Sequence, residues 1–154
     1  MKTIKVQKLT REAFAPYGEV LTTEGREAGG NPATHLWYPQ AVVIDAPTSI
    51  NLMRVLEHAF VLKDFEAHDH TTENLIAMDG DLIVGMAAAG DLKEENVTAF
   101  YIPCGLGISL KPSVWHAVPM AVGKDVMSVC IFKNNTSHDD IYFASLEEEI
   151  GLML

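Results

Sequence analysis

Short apolar segments, separated by turn-forming residues, run through most of this sequence. From Ala41 onward they are AVVID, SINLMRV, FVLKDF, NLIAM, DLIVGMAAA, VTAFYI, GISLKP, AVPMAV and DVMSVCIF. Runs of this length are typical of β-strands, and their regular spacing is typical of a β-sandwich or β-barrel. Asp79-Gly80, which lies between two of these segments, predicts a hairpin turn. The sequence therefore predicts a mainly β fold.

The N-terminal region predicts smaller elements. Residues 3–6 have the composition of a short strand, and GEVLTT at 18–23 has that of another. Between them, Thr10 can cap a short helix in REAFAPYG, which ends at Pro16 and Gly18. The stretch EGREAGGNPAT at 24–34 has no hydrophobic period and predicts a long mobile loop.

The C-terminal region is the one part beyond the N-terminal helix with a helical pattern. Residues 145–154 contain three consecutive glutamates, which favour a helix N-terminus, although a frayed tail fits the same residues. We expect a single domain over 1–154. It divides into an N-terminal strand, helix and loop (1–40), a barrel core (41–135) and a C-terminal segment (136–154).

Length and charge narrow the classes of partner. The chain has 154 residues, which suits one compact domain, and 21 acidic against 11 basic residues give a net charge of −10. No cluster of Lys and Arg offers a surface for nucleic acid or for an anionic membrane, so neither partner is expected. No apolar run is long enough for a membrane helix. The two cysteines, Cys104 and Cys130, fit a reducing cytoplasmic setting.

The densest group of metal-binding side chains is His68-Asp69-His70 with Glu73 shortly after it. On an extended chain His68 and His70 point to the same face, so two imidazoles can converge on one ion. Glu73 can bring a carboxylate into the same sphere, and His116 is a natural fourth ligand. The alternative is that these side chains are solvated loop residues.

The flanking residues resemble those of a known superfamily. HDHTTENLIAMDG is similar to the first conserved motif of the cupins, and GISLKPSVWH resembles the second. The resemblance implies a jelly-roll barrel, also called a double-stranded β-helix, with both motifs on facing strands. It also implies a divalent metal held by His68, His70, Glu73 and His116. Such a ligand set suits manganese, iron, nickel or zinc.

A narrower resemblance covers most of the chain. LTREAFAPYGEVL, SINLMR and TAFYIPCGLGISLKPSVWHAVPM are together similar to the ureidoglycolate lyase family of small cupins, formerly called ureidoglycolate hydrolases. The resemblance implies cleavage of ureidoglycolate into glyoxylate and urea, in purine breakdown through allantoin. It implies His68, Glu73 and His116 as catalytic residues. It also implies a cytoplasmic homodimer.

A carboxylate substrate entering an acidic protein needs a local cation. The candidates are Arg54, Lys111 and Lys133. Arg54 is preferred, because one face of its β-like segment can look into the barrel. The alternative is an outward Arg54 paired with Glu57. His35, at the exit of the mobile loop, can line the mouth of the pocket, reach over from a partner subunit, or pack in an aromatic cluster.

Two further classes of function remain open from the sequence. One is a different metal-dependent cupin enzyme, such as an isomerase, epimerase or dioxygenase acting on a small polar or acidic metabolite. The other is a cupin that binds a small molecule without turnover. The fold alone does not choose among these classes, since one β-barrel hosts many activities.

Overall fold

The computed structural model describes residues 1–154 as fifteen strands, two short α-helices and one turn of 3-10 helix at Glu94–Asn96. In chain order these are β1 (Lys2–Lys5), β2 (Gln7–Lys8), α1 (Arg11–Phe14), β3 (Gly18–Leu21), β4 (Gly29–Asn31), β5 (His35–Trp37), β6 (Thr48–Val55), β7 (Val61–Ala67), β8 (Glu73–Ala77), β9 (Leu82–Ala87), β10 (Thr98–Ile102), β11 (Gly107–Leu110), β12 (Trp115–His116), β13 (Met120–Ala121), β14 (Val126–Lys133), α2 (Thr136–Asp139) and β15 (Tyr142–Met153). The predicted mainly β fold is confirmed.

Two sheets form the body of the protein. The larger has the strand order β1-β15-β7-β12-β9-β10-β2, with β13 also paired to β9. The smaller has the order β3-β11-β8-β14-β6. Strands from the first 40 residues and from the last 19 take part in these sheets, so the barrel extends beyond the 41–135 core that the sequence suggested.

Most of the sequence-predicted segments form strands, and two do not match fully. Residues 41–45 (AVVID) pair with no strand, and AVPMAV forms only the two-residue β13. The stretch 24–34, expected to be an unstructured loop, contains β4, which pairs with β5 in a small exposed hairpin. The short N-terminal helix is present, and Thr10 Oγ1 accepts a hydrogen bond from the Ala13 N–H at 3.2 Å.

The hairpin predicted at Asp79-Gly80 is wrong. The strands on either side of this turn, β8 and β9, belong to different sheets and do not pair with each other. The turn instead carries the chain from the smaller sheet to the larger one. Turn-forming residues indicate that the chain changes direction. Which strands then pair with each other depends on the rest of the fold.

The C-terminal helix, with a frayed tail as its alternative, is also wrong, because the segment forms β15. This strand pairs with β7 and, in parallel, with β1, and it buries Leu146 and Ile150. The three glutamates lie where the register with β7 shifts, between Ser145 and Ile150. There Glu94 Oε1 accepts hydrogen bonds from the N–H groups of Glu147 and Glu148.

The hydrophobic core consists of two clusters that share strand β9. Leu82, Val84 and Met86 belong to a cluster of 16 buried residues drawn from both sheets. Ile83 and Ala87 belong to a second cluster of 11. Because alternate residues of a strand face opposite sides, β9 is buried on both faces. One of the strands paired with β9 is β12, which carries His116 of the candidate site.

We predict that Gly85→Ala destabilises the fold. A Cβ atom at Gly85 would lie 2.4 Å from Leu62 Cδ2 and 2.5 Å from its Cδ1, and Leu62 is buried. The cost should be about 1–3 kcal/mol of unfolding free energy, measured by denaturant titration. Gly29→Ala is the control, since its new Cβ would meet nothing closer than 3.8 Å. Equal stability of both variants would contradict this packing.

Candidate metal centre

Four side chains converge at one place inside the barrel: Glu66, His68, Glu73 and His116. One carboxylate oxygen or imidazole nitrogen from each lies within 4.8 Å of the corresponding atoms of the others. His68, Glu73 and His116 are buried, whereas the side chain of Glu66 is 28% exposed. The group is therefore open to the outside mainly at Glu66.

Both sheets contribute to this group. Glu66 of β7 and His116 of β12 are directly opposite each other in the larger sheet, which puts their side chains on the same face. Glu73 opens β8 in the smaller sheet, opposite Leu110 of β11. His68 follows directly after β7 ends at Ala67. The site thus lies where the two sheets face each other.

Glu73 is at the centre of the group. Its Oε2 lies 2.9 Å from His68 Nε2, with which it forms a hydrogen bond, and 3.1 Å from His116 Nε2. Oε1 of Glu66 is 3.5 Å from the same nitrogen of His116. One buried carboxylate oxygen therefore bridges two imidazoles, and a second carboxylate borders the group.

Backbone carbonyls orient both imidazole rings. His68 Nδ1 lies 2.7 Å from the Asp140 carbonyl oxygen, and His116 Nδ1 lies 3.0 Å from that of Val114. Since a carbonyl oxygen only accepts hydrogen bonds, each Nδ1 carries a hydrogen and donates it. In the neutral rings, Nε2 is then the nitrogen with the lone pair, and in both residues it faces Glu73. This is the orientation found in metal-binding histidines.

The residues fit a divalent metal. His116 Nε2 is buried and makes no hydrogen bond of acceptable geometry, although two carboxylates lie close to it. Buried polar atoms are rarely left without a partner, and a cation between this nitrogen and the carboxylates would supply one. Two imidazoles and two carboxylates are ligands that first-row transition metals accept.

Without a metal, protons hold the group together. Burial alone would lower the pKa of His116, but the charge of Glu73 and the nearby Glu66 outweigh it and raise the pKa to about 10. Burial likewise opposes a charged His68, yet the hydrogen bonds to Glu73 and to the Asp140 carbonyl raise its pKa. Burial would raise the pKa of Glu73, but the imidazoles of His116 and His68 hold it well below its usual range.

A small cavity reaches the group. Its volume is about 50 Å³, and its polar lining is Glu66, Glu73 and His116. The rest of the lining is mainly apolar: Met53, Leu75, Val84, Ile108, Leu110, Ala117, Val118 and Pro119. Four larger surface grooves lie elsewhere and include no member of the group.

His70 is not part of the group, contrary to the ligand set expected from the sequence. Its side chain is 68% exposed, and its Nδ1 lies 3.0 Å from Asp140 Oδ1. The expectation required an extended chain through residue 70, but β7 ends at Ala67 and the chain turns. The two side chains that point to the same face are therefore those of Glu66 and His68, and Glu66 occupies the place expected for His70.

None of the four sequence-predicted substrate-binding residues lines the cavity. Arg54 points outward and pairs with Asp125 at 3.1 Å, whereas its neighbour Met53 lines the cavity. Lys111 Nζ donates to the Ala15 carbonyl oxygen. The exposed Lys133 ends β14, and the exposed His35 lies in the β4–β5 hairpin, where its Nδ1 contacts Thr34 Oγ1.

The sequence reasoning missed Glu66 and Asp140. Glu66 is two residues before His68, and the same alternation argument would have found it if the strand had been ended at Ala67. Asp140 is 72 residues from His68 along the chain, so no local pattern connects the two.

Two solved structures share the fold of this protein. It resembles a dTDP sugar isomerase from Desulfovibrio desulfuricans G20, with a TM-score of 0.58 and 15% identity over 84% of this chain and 85% of that one. A 3,4-ketoisomerase from Thermoanaerobacterium thermosaccharolyticum matches with a TM-score of 0.54 and 8% identity, over 80% and 84% of the two chains. At these identities the likeness concerns the fold only. No helix in the structure has the length and apolar character needed to cross a bilayer.

The chain belongs to the ureidoglycolate lyase family, whose model matches residues 1–152. A ureidoglycolate lyase of Burkholderia mallei (strain NCTC 10229) is 30% identical over 133 residues, covering 80% of this chain and 78% of that protein. One from Pseudomonas paraeruginosa is 26% identical over 163 residues, covering 99% and 96%. The family resemblance seen in the sequence is therefore confirmed, and the family is one of enzymes.

We predict that zinc binding to this group releases protons. At pH 7 the metal-free His116 is protonated, because its pKa is about 10, and it must lose that proton to bind a metal. Calorimetric titration with Zn²⁺ in buffers of different ionisation enthalpy should show about one or more protons released, and tighter binding as pH rises. His116→Ala should abolish this signal, whereas the exposed His58→Ala should not. Binding without proton release would contradict the prediction.

Proposed function

We propose that this chain cleaves ureidoglycolate into glyoxylate and urea, with a divalent transition metal held in the barrel. The observation that carries the proposal is a buried His/Glu group in a chain that matches the ureidoglycolate lyase family over residues 1–152. The metal can be manganese, iron, nickel or zinc. We place the enzyme in the cytoplasm, where its two unpaired cysteines stay reduced.

His68, Glu73 and His116 would hold the metal, since all three are buried and both imidazoles turn Nε2 towards Glu73. When bound, the metal supplies positive charge that attracts the substrate's carboxylate and hydroxyl oxygens and lowers the pKa of that hydroxyl. The cavity lining contains no Lys or Arg, so the chain offers no other fixed cation there. The apolar lining excludes water from the reacting atoms.

Glu66 is suited to move the proton. Ureidoglycolate breaks down when its hydroxyl loses a proton, the oxygen forms a carbonyl, and the bond from carbon to the urea nitrogen breaks. The departing nitrogen takes up one proton. Glu66 borders the cavity and is the most exposed of the four residues. Its carboxylate can accept the hydroxyl proton and deliver it to the nitrogen, so that the step balances without another acid or base.

The size of the cavity favours a small substrate over a nucleotide sugar. The structural neighbours named above are isomerases of dTDP sugars. A space of about 50 Å³ is far smaller than the several hundred cubic ångströms of ordinary ligand pockets. A small hydroxy acid suits it better than a nucleotide sugar.

The first test measures glyoxylate release from ureidoglycolate. After a chelator has removed the metal, the rate of glyoxylate release should fall to that of the spontaneous decay of the substrate. Adding manganese, nickel or zinc should restore the higher rate. A fully metal-loaded protein with no rate above that decay would overturn the lyase proposal.

A second prediction concerns Glu66→Gln. The amide cannot accept the hydroxyl proton, so glyoxylate release should fall about 10²–10⁴-fold. Zinc binding should change less, because His68, Glu73 and His116 remain. The control is Glu57→Gln, an exposed position outside the cavity, which should leave the rate unchanged. Wild-type activity in Glu66→Gln would exclude the proton-transfer role, and a complete loss of zinc would instead make Glu66 a ligand.

We also propose a homodimer, formed through strand β6. This strand ends the smaller sheet, and two of its outward side chains, Ile50 and Leu52, are 72% and 73% exposed. Exposed apolar residues on a free sheet edge favour pairing with a second copy. Analytical ultracentrifugation should show a dimer that Leu52→Lys converts to a monomer. The control Val43→Lys removes an exposed apolar residue outside β6 and should leave the dimer intact. A wild-type monomer at high concentration would overturn this proposal.

A further inference from the structure

Asp140 connects two parts of the chain at the mouth of the barrel. Its carboxylate is nearly buried, with 6% of the side chain exposed. Oδ1 accepts a hydrogen bond from the Asp69 N–H at 2.9 Å, and Oδ2 accepts one from the His70 N–H at 2.8 Å. Oδ1 also lies 3.0 Å from His70 Nδ1. One carboxylate thus fixes the turn that directly follows His68.

The backbone of Asp140 acts on His68 itself. The Asp140 carbonyl oxygen accepts the Nδ1–H of His68 at 2.7 Å, so Nε2, which faces Glu73, becomes the lone-pair nitrogen when the ring is neutral. Asp140 therefore contacts this region in two ways. Its backbone carbonyl binds Nδ1 of the His68 imidazole, and its carboxylate binds the backbone N–H groups of the two residues after His68. Groups that orient a metal-binding histidine in this way commonly change metal affinity about 10–100-fold when they are removed.

The segment that carries Asp140 is itself anchored. Asp140 follows α2, and its N–H donates to the Thr136 carbonyl oxygen at 3.1 Å. The fully buried Thr136 donates from Oγ1 to the Lys133 carbonyl oxygen, and the Lys133 N–H donates to Thr71 Oγ1. Asp140 is therefore held in place by contacts that do not involve His68.

We infer that Asp140 is a positioning residue for the metal-binding nitrogen of His68, and that His70 supports Asp140 and does not bind the metal. This inference rests on the metal centre of the proposed function. It gives His70 a role that the expected ligand set did not: its ring contacts the carboxylate that fixes the turn after His68.

The test is the zinc affinity of purified full-length variants, measured by competition with a chromophoric chelator. We expect Asp140→Ala to weaken zinc binding about 10–100-fold and Asp140→Asn to fall between it and wild type. His70→Ala should weaken binding by a smaller factor, because the backbone contacts of Asp140 remain. The matched control is Asp139→Asn, an exposed neighbour, which should bind zinc as wild type does.

Two readouts separate positioning from general stability. The thermal midpoint of each zinc-free variant reports folding, and nitrogen-15 NMR of the zinc-loaded histidine rings reports whether His68 keeps its hydrogen on Nδ1. We expect a protected Nδ1–H signal in wild type, and a signal that exchanges faster with solvent in Asp140→Ala, because the backbone carbonyl of residue 140 remains but the turn after His68 loses the carboxylate that fixes it. A folded Asp140→Ala with wild-type zinc affinity and an unchanged ring signal would overturn the inference.

The remaining outcomes are also decisive. If Asp140→Ala does not fold, Asp140→Asn and His70→Ala decide, and wild-type affinity in both would overturn the inference. A loss of zinc in His70→Ala as complete as that in His116→Ala would make His70 a ligand and overturn it too. A wild-type protein that binds none of zinc, nickel, manganese and iron would overturn the metal centre of the proposed function and this inference with it. A wild-type protein that binds zinc, beside an unaffected Asp140→Ala, would overturn the positioning role alone.

Discussion

The buried carboxylate of Glu73 is the group on which the rest of the site depends. An ionised carboxylate removed from water loses several kcal/mol of solvation unless charged or hydrogen-bonding partners replace the water. Glu73 has two such partners, His68 and His116, within 3.1 Å of one oxygen. Because Glu73 lies in the smaller sheet and His116 in the larger, this contact also ties the two sheets together at the end of the barrel.

The same partners give the centre two states. With protons on the imidazoles, the pKa of Glu73 is held low and that of His116 is raised to about 10, so the group is a compact set of ion pairs. In the proposed metal-bound state, the cation would replace the protons as the positive charge beside the carboxylate. Both states would neutralise Glu73. Metal and protons then compete for the same nitrogens.

The sequence predicted most of the strands but did not predict which strands pair with each other. Periodicity located most strands, and Thr10 correctly located α1, because both signals depend on residues a few positions apart. The partner of each strand is not local. The turn at Asp79-Gly80 therefore joined two sheets instead of forming a hairpin, and the acidic C-terminal segment became β15 once it had β7 and β1 to pair with.

The site residues also differ in whether a local sequence pattern was enough to predict them. His68, Glu73 and His116 were found from motif spacing, whereas the choice between His70 and Glu66 depended on where β7 ends. The structure distinguishes the two carboxylates of the centre by their surroundings. Glu73 is buried, and one of its oxygens lies within 3.1 Å of both imidazoles. Glu66 has one contact within the group, at 3.5 Å, and borders the cavity. Two carboxylates in such different environments are suited to different tasks, which is why the proposed function assigns charge neutralisation to Glu73 and proton transfer to Glu66.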